Sequence, residues 1–340
     1  MGIWRYVLRR VILAVPMLFG ITLVMFIMYN LTQVDPIVMI VGERQLNNPQ
    51  IVEAAREQWG LNRPPWEQYL TYIGNYLRGD LGLSFLTRRP VLDDLVLYLP
   101  ATLELGIASL LFAVVLGIPI GVLAGVRKGS WFDRIAWVIS LINASLPPFW
   151  TGLIVLFFFY YQLGLMPGPG RLAPRMTPPE TMTGLFTVDA LLTGNWPAFW
   201  NAIHHLMLPA FILGSFTLAI IMRVTRAAII DELRNDYIRT ARAKGLPERM
   251  VIVGHALRNV LIPLVTILGL AFAGLLSGAV MTETVFDWPG IGTYLVKAAS
   301  ALDYPAIQGG TLLIAIIYII MNLFVDILYG FLDPRVRHER

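Results

Sequence analysis

The sequence predicts an all-α, polytopic helical membrane protein with about six transmembrane helices and both termini in the cytoplasm. Of its 340 residues, 56% are hydrophobic and only 14% are charged. A soluble domain has roughly 25% charged residues, which it needs to cover its surface. The composition therefore excludes an ordinary cytosolic enzyme, a disordered chain and a secreted disulfide scaffold. The chain contains no cysteine, so thiol nucleophiles and cysteine–zinc sites are also excluded.

Six apolar stretches are long enough to cross a bilayer, which takes about 20 helical residues. They cover approximately residues 11–30, 102–125, 135–162, 206–226, 259–280 and 309–332. The first begins with basic residues, as a signal peptide does. Its apolar run is longer than a signal's and no small-residue cleavage site follows, so we expect a retained anchor. The third contains Pro147-Pro148, which predicts a kink or break within the membrane.

Lysine and arginine residues predict the orientation. With both termini inside, 17 of the 26 Lys and Arg residues lie on the cytoplasmic side. Six of the others lie in the long segment 31–101, and long segments count little in the positive-inside rule. The net charge of +4 is therefore typical of cytoplasmic loops at a membrane, and we expect no nucleic-acid partner.

The segment 31–101 reads as an ordered outer region. Asn48-Pro49 starts one predicted helix, and Pro64-Pro65 starts a second that ends at Gly79. The second helix is amphipathic, because its apolar and aromatic residues recur at spacings of three and four. These residues are Tyr69, Tyr72, Ile73, Tyr76 and Leu77. The helix suits the membrane surface or a lid over the spans. Two readings of the whole segment stay open: an outer cap without chemistry, and a docking surface for an external partner.

The segment 281–308 reads as too polar to span. Residues 282–292 are rich in aromatic residues, Pro and Gly, and a helical run follows at 293–300. A rigid, aromatic stretch between two spans predicts the outer mouth or gate of a pathway. The residues assigned to this gate are Glu283, Phe286, Trp288 and Pro289.

Few ionisable residues fall inside the predicted spans. Glu104 lies near the outer end of the second span and Asp326 lies in the sixth. An acid in a membrane raises the hypothesis of function, but two scattered acids make a poor proton relay. A basic neighbour could also pair with Asp326. The adjacent His204 and His205 point to different helix faces, so no metal site is predicted.

Glycines recur every four residues in the second span, at Gly117, Gly121 and Gly125. Small residues at this spacing let two helices approach closely. The pattern is common in helix bundles, so it indicates a partner subunit only weakly.

Residues 227–258 form the only sizeable predicted cytoplasmic loop. Acidic residues come early and basic residues late, an order that complements a helix dipole. Gly245 then ends this helix and Pro247-Glu248 starts another. The pattern predicts a helix–turn–helix knuckle with small residues near its turn and a basic rim. Such a surface fits a groove on another protein; a simply solvated loop is the alternative.

This loop resembles the conserved cytoplasmic loop of ABC-importer permeases. Ala241, Gly245 and Leu257 match the general pattern, whereas Arg239-Thr240 replace its usual Glu-Ala pair. The form found here is similar to that of the dipeptide/oligopeptide permease family, which stretches 237–246 and 255–259 resemble closely. The resemblance continues through 79–84, 101–106, 282–292, 303–310 and 333–335, and so covers nearly the whole chain.

The resemblance implies the type I ABC-importer permease fold, in the first permease of a pair. It implies ATP-driven, binding-protein-dependent import of dipeptides or oligopeptides, with nickel chelates, glutathione or oligosaccharides as alternatives. The implied partners are a second homologous permease, two ATPase subunits that hold ATP and Mg, and an extracytoplasmic solute-binding protein. No cofactor is expected on this chain itself. The implied location is the cytoplasmic (inner) membrane of a prokaryote, with the chain passing through the lipid bilayer several times.

The predicted spans divide the chain into an N-terminal interfacial segment with the first span, an extracytoplasmic segment, a permease core of five spans that includes the loop 227–258, and a cytoplasmic tail. Their bounds are 1–30, 31–101, 102–332 and 333–340. By the same resemblance, the short helix around 236–245 would be a coupling helix in a cleft on an ATPase. Its predicted contact residues are Asp236, Tyr237, Arg239, Thr240, Ala241, Arg242, Lys244, Gly245 and Leu246.

Two other classes of protein compete with the importer hypothesis. A stand-alone secondary transporter or channel predicts intramembrane charge pairs or a selectivity ring. A membrane-embedded enzyme predicts His, Asp or Glu converging at one depth. None of these patterns is evident. The sequence also lacks the phosphate-binding motif Gly-x-x-x-x-Gly-Lys followed by Ser or Thr. We therefore expect a permease that is not an enzyme and has no ATPase site of its own.

Overall fold

The computed structural model describes residues 3–31, 36–42, 45–58 and 60–332, and this part of the chain is mainly helical. The helices are α1 Ile3–Leu31, α2 Pro36–Val41, α3 Pro49–Gln58, α4 Pro65–Leu77, α5 Val91–Val126, α6 Trp131–Ser145, α7 Pro148–Leu156, α8 Phe186–Leu192, α9 Trp196–Glu232, α10 Asp236–Ala243, α11 Glu248–Met250, α12 Leu257–Val285, α13 Ile291–Ser300 and α14 Tyr304–Leu332. Two π-helical segments, Phe157–Gln162 and Val251–Ala256, continue α7 and precede α12. The predicted tail 333–340 and the side chain of Asp326 lie outside the described residues.

The predicted spans all fall on helices, five of them on long helices and the third on the shorter α6 and α7. In the described part of the chain, α1, α5, α9 and α14 are each long and apolar enough to cross a membrane. Two bent elements bring the number to as many as six. One is α6 with α7, which bend by 104° at Pro147-Pro148; the other is α12, which bends by 45° between residues 275 and 279. The break predicted from the two prolines is confirmed, because Pro147 takes an extended conformation between the two helices.

All five long helices extend beyond the apolar stretches that predicted them, and α5, α9 and α12 are three examples. Helix α5 starts eleven residues early, at Val91. Helix α9 starts at Trp196, where the Asn195 side chain accepts a hydrogen bond of 3.1 Å from the Ala198 amide. Helix α12 continues to Val285, so the boundary expected at residue 281 was wrong. The length of an apolar stretch therefore underestimates the length of the helix. Polar residues can extend a helix where the protein supplies hydrogen-bond partners for them.

Both helices expected between the first two spans are present as α3 and α4. The Asn48 side chain accepts a hydrogen bond of 3.1 Å from the Gln50 amide at the start of α3, as an N-cap residue does. Gly79 follows α4 with a φ of +81°, a conformation that favours glycine.

One compact unit contains Leu99–Thr293 and flanking segments at both chain ends. Here the glycine stripe of α5 packs against α9. A Cβ on Gly121 would lie 2.7 Å from the Met222 carbonyl oxygen, and one on Gly125 would lie 3.0 Å from that of Arg226. The stripe therefore brings together two helices of the same chain, and this face of α5 is not free for a partner subunit.

The second compact unit contains Leu8–Tyr98 and Tyr294–Ile316. Within this unit, the buried Asp303 side chain connects two segments of the chain. Its carboxylate accepts hydrogen bonds of 2.5 Å from the Ser84 hydroxyl and 2.9 Å from the Leu86 amide, and of 3.3 Å from the Ala306 amide at the start of α14. One acidic side chain thus joins the loop before α5 to the first turn of α14.

Candidate functional site

The predicted knuckle is confirmed; we use the name for residues 233–250. It consists of α10, a glycine turn and the short α11. At the turn, the Gly245 amide donates to the Arg242 carbonyl at 2.9 Å and the Leu246 amide donates to the Ala241 carbonyl at 3.4 Å. With a φ of +76° at Gly245, this is the Schellman arrangement that ends helices.

The inner face of α10 holds the knuckle in place. Ile238 is fully buried and Ala241 nearly so, in a cluster with Ile229 of α9 and with Val251 and Val260 near α12. Leu246 packs against the same cluster. Of the nine contact residues predicted from the sequence, Ala241 and Leu246 thus face inward. An apolar anchor of this kind lets force on the knuckle reach the ends of two long helices.

The other seven predicted contact residues share the exposed side of the knuckle. They are Asp236, Tyr237, Arg239, Thr240, Arg242, Lys244 and Gly245.

Two ion pairs lie on this exposed side. Arg239 lies 3.3 Å from Asp236, with 75% and 93% of the two side chains exposed. Arg242 donates to Glu248 at 2.5 and 3.1 Å, and this hydrogen bonding lowers the pKa of Glu248. Exposed ion pairs contribute little to stability, so these charges can rearrange around a partner at little cost.

A polar clamp connects the knuckle to both neighbouring helices. The Tyr237 hydroxyl donates to Glu232 Oε1 at 2.5 Å, and Asn259 Nδ2 donates to the same oxygen at 2.9 Å. Asn259 Nδ2 also lies 3.0 Å from the Tyr237 hydroxyl. Partial desolvation of its hydroxyl, together with the hydrogen bond to Glu232, raises the pKa of Tyr237 to about 12, so this hydroxyl stays a donor near neutral pH. One carboxylate oxygen therefore joins the end of α9, α10 and the start of α12.

The predicted gate segment wraps around a buried acid. Glu283 is fully buried; it accepts a hydrogen bond of 2.6 Å from the Thr102 hydroxyl and one of 3.0 Å from the Thr293 amide. Gly290 and Gly292 leave room for its carboxylate, because a Cβ on Gly292 would lie 2.8 Å from Glu283 Oε2. The Glu283 carboxylate thus finds its hydrogen-bond donors inside the protein, so α12 can continue through this acid to Val285.

The aromatic residues of the same segment are packed within the chain. Trp288 is 1% exposed and donates from Nε1 to the Ala101 carbonyl at 2.8 Å, while Phe286 is 3% exposed. Only Pro289 of the four predicted gate residues is exposed. In this structure, Glu283, Phe286 and Trp288 therefore line no opening. Their role in gating stays a prediction about other states of the protein.

Glu104 forms a buried ion pair that the sequence did not predict. Arg171 Nη2 donates to Glu104 Oε2 at 2.5 Å, and both side chains are at least 92% buried. Thr187 donates to the other carboxylate oxygen from its amide and its hydroxyl, each at 2.7 Å. The Arg171 guanidinium also lies 3.6 Å from the ring centre of Phe186. The pair ties the loop after α7 to α5, which is a structural role for Glu104.

Sequence reasoning missed the residues that act as partners over long sequence distances. Glu232, Asn259 and Arg171 belong to this class. Another is the bidentate pair between Arg226 of α9 and Asp133 of α6. One feature of the sequence did indicate that such pairs exist: a charged residue in or beside an apolar helix needs a partner when it is buried. This feature does not identify which residue is the partner.

Two family patterns match this chain and together cover most of it. Residues 117–338 match the family described as binding-protein-dependent transport system inner membrane component. Residues 3–106 match the N-terminal region of the membrane component of such transport systems.

Curated relatives are similar over nearly their whole length. The di/tripeptide transport system permease protein DppB of Pseudomonas aeruginosa is 45% identical over 335 residues, 98% of this chain and 99% of the relative. The dipeptide transport system permease protein DppB of Escherichia coli is 42% identical over 338 residues, 99% of each chain. The glutathione transport system permease protein GsiC of Escherichia coli is 36% identical over 335 residues, 98% of this chain and 99% of the relative.

Proposed function

Because the chain belongs to the family of binding-protein-dependent transport system inner membrane components, we propose that it forms half of the translocation pathway of a dipeptide importer. It is a multi-pass protein of the inner membrane, as its family and its long apolar helices indicate. The observation that carries the substrate class is the 42–45% identity to dipeptide permeases over nearly the full chain. The relative named for glutathione, itself a small peptide, is less similar, at 36% identity.

The importer we propose contains four further subunits or partners. A second homologous permease completes the pathway, two ATPase subunits supply ATP hydrolysis with Mg, and an extracytoplasmic binding protein delivers the peptide. This chain is a permease without an ATPase site. Its own contribution is mechanical: it presents a rigid contact to an ATPase and moves its helices in response.

The knuckle fits the coupling role in three respects. Its exposed side carries charges in weak pairs, which a partner's charges can replace. Its inner side is anchored by buried Ile238, so the knuckle moves with the helices that it joins. Finally, the clamp of Glu232, Tyr237 and Asn259 resists rotation of α10 against α9 and α12. ATP-driven closure of the ATPases would push on this contact and switch the cavity between its inward- and outward-facing states.

A pair of threonine variants tests the docking surface. Thr240 and Thr71 are both exposed helical residues whose hydroxyls donate to the carbonyl four residues earlier, at 3.0 and 2.9 Å. We expect Thr240→Trp to abolish dipeptide uptake, because a bulky ring would block the docking of α10. Thr71→Trp, placed on the outer helix α4, should leave uptake unchanged.

The measurement uses the complex expressed from its native operon, purified through a tag on this chain and reconstituted in liposomes. Recovery of a second permease and ATPase subunits in fixed ratio, with ATP hydrolysis stimulated by dipeptide and the binding protein, supports the importer. Normal uptake by the Thr240→Trp complex would refute the coupling assignment. Stimulation by glutathione but not by dipeptides would overturn the substrate class and leave the coupling assignment standing.

A further inference from the structure

Helix α4 has two apolar faces, and only one of them is covered by the chain. Its tyrosine face packs on α1: the ring of Tyr69 lies 5.4 Å and that of Tyr72 lies 6.3 Å from the ring of Phe26. On another face, Trp66, Leu70 and Leu77 are 63%, 60% and 79% exposed. At about 100° per residue, these three positions fall within an arc of about 40°. We call them the α4 stripe.

The tyrosine face fixes α4 at membrane depth. The Tyr69 hydroxyl donates to the Phe19 carbonyl at 3.1 Å and lies 3.1 Å from the Thr22 hydroxyl. The candidate span in α1 is Leu8–Leu31, so Phe19 lies near its midpoint. At 1.5 Å per residue, Phe19 is about 18 Å below the outer end of that span. A helix that inserts a side chain to this depth lies at or below the membrane surface and not in the water above it.

The α4 stripe continues a surface that already faces lipid. Of the 18 consecutive residues that make up the most apolar part of the α1 span, only 6% are buried inside the chain. Its outer half exposes apolar side chains, among them Met28 at 63% and Leu31 at 74%. Lipid chains are the natural solvent for such a surface, and tryptophan is enriched where they meet the headgroups. The polar residues of α4 lie apart from the stripe, since Thr71 and Asn75 are exposed on the opposite side.

We propose that α4 is an interfacial helix whose Trp66, Leu70 and Leu77 side chains lie among the acyl chains of the outer leaflet. An interfacial amphipathic helix of this kind has one apolar face in lipid and a polar face toward water. The helix also holds α1 through its tyrosines. Its bilayer contact therefore anchors the outer segment independently of any bound partner.

Site-directed spin labelling tests this placement, because the native chain contains no cysteine. Leu70→Cys and Leu77→Cys place a nitroxide on the stripe. Asn75→Cys is the matched control, since it is exposed on the same helix but on its polar side. Met28→Cys on α1 is the lipid-facing reference. Each variant is labelled in the assembled complex in phosphatidylcholine–phosphatidylglycerol nanodiscs, and its accessibility to oxygen and to a neutral water-soluble nickel chelate is compared.

We expect the labels at positions 70 and 77 to resemble the label at 28, with an oxygen-to-nickel accessibility ratio severalfold above that at 75. Nickel accessibility equal to that at 75 would place the stripe in water and overturn the proposal. Low accessibility to both reagents would show a protein partner on the stripe and would overturn it equally. If the Leu70→Cys complex does not assemble, the label at position 77 tests the proposal alone. Leu77 is the last residue of α4 and is 79% exposed, so its replacement disturbs the helix little.

Discussion

Replacing Gly245 tests whether the conformation of the knuckle turn matters to coupling. The residue has a φ of +76°, and a Cβ built there meets no atom within 4 Å. A substitution therefore produces no clash inside the chain, and its effect comes from the backbone alone. A residue with a Cβ in the left-handed region costs about 1–2 kcal/mol, whereas asparagine tolerates it more easily. This corresponds to a factor of roughly 5–30 in the population of the native turn.

Three variants separate backbone strain from side-chain bulk. We expect Gly245→Asn to behave like the native protein. Gly245→Ala should lower the number of dipeptides imported per ATP hydrolysed, by at most roughly the 5–30-fold factor that follows from the strain. Gly245→Leu should lower it at least as much, because its side chain also points toward the proposed ATPase cleft.

The assay is uptake and ATP hydrolysis measured in the same liposomes, with the subunit ratio of each complex checked beforehand. If Gly245→Ala and Gly245→Leu transport normally in intact complexes, the turn does not couple the two activities. If Gly245→Asn is as damaged as Gly245→Leu, bulk at the interface is responsible and the reasoning from strain fails.

Three other substitutions probe contacts described above. Arg171→Met should lower the free energy of unfolding by about 3–5 kcal/mol, because Glu104 would stay buried without its partner; thermal denaturation in nanodiscs measures this, and adding Glu104→Gln should recover part of the loss. Gly121→Ala should destabilise by about 1–3 kcal/mol, because its Cβ would lie 2.7 Å from a carbonyl oxygen of α9. Gly20→Ala, which has no atom within 4 Å, is its control, and equal melting temperatures would contradict the packing argument. Tyr237→Phe should lower uptake per ATP without changing the subunit ratio, because the clamp loses the hydroxyl between its two partners; an unchanged ratio of uptake to hydrolysis would show that the clamp does not transmit force.

Local sequence signals were enough to predict most of the helices. A run of apolar residues marks a span whatever it packs against, and two adjacent prolines break a helix in any context. The knuckle was predictable for the same reason, since Gly245 and Pro247 act on their own backbone. Helices α3 and α4 of the outer segment likewise start at prolines.

The pairing of polar residues was not predictable in this way. Glu104 is separated from Arg171 by 67 residues, and Thr102 from Glu283 by 181. Nothing near either acid in the sequence identifies its partner, because the fold brings the partner to it. The partner of Trp288 was not predictable either. An aromatic residue in a polar segment suggests an exposed side chain, yet the Trp288 indole nitrogen donates to the Ala101 carbonyl of α5.

The hydrogen bond between Ser84 and Asp303 joins residues 219 positions apart. A ribosome delivers Ser84 long before Asp303, so the Ser84 hydroxyl and the Leu86 amide lack the Asp303 carboxylate during most of synthesis. The outer segment can complete its fold only after α13 and the start of α14 have emerged and entered the membrane. A contact between residues so far apart in the sequence forms slowly, because the chain between them loses conformational entropy before the contact stabilises the fold. The order of membrane insertion therefore sets when this region becomes resistant to proteases, and a chain interrupted before α13 would present an unfinished outer surface to quality control.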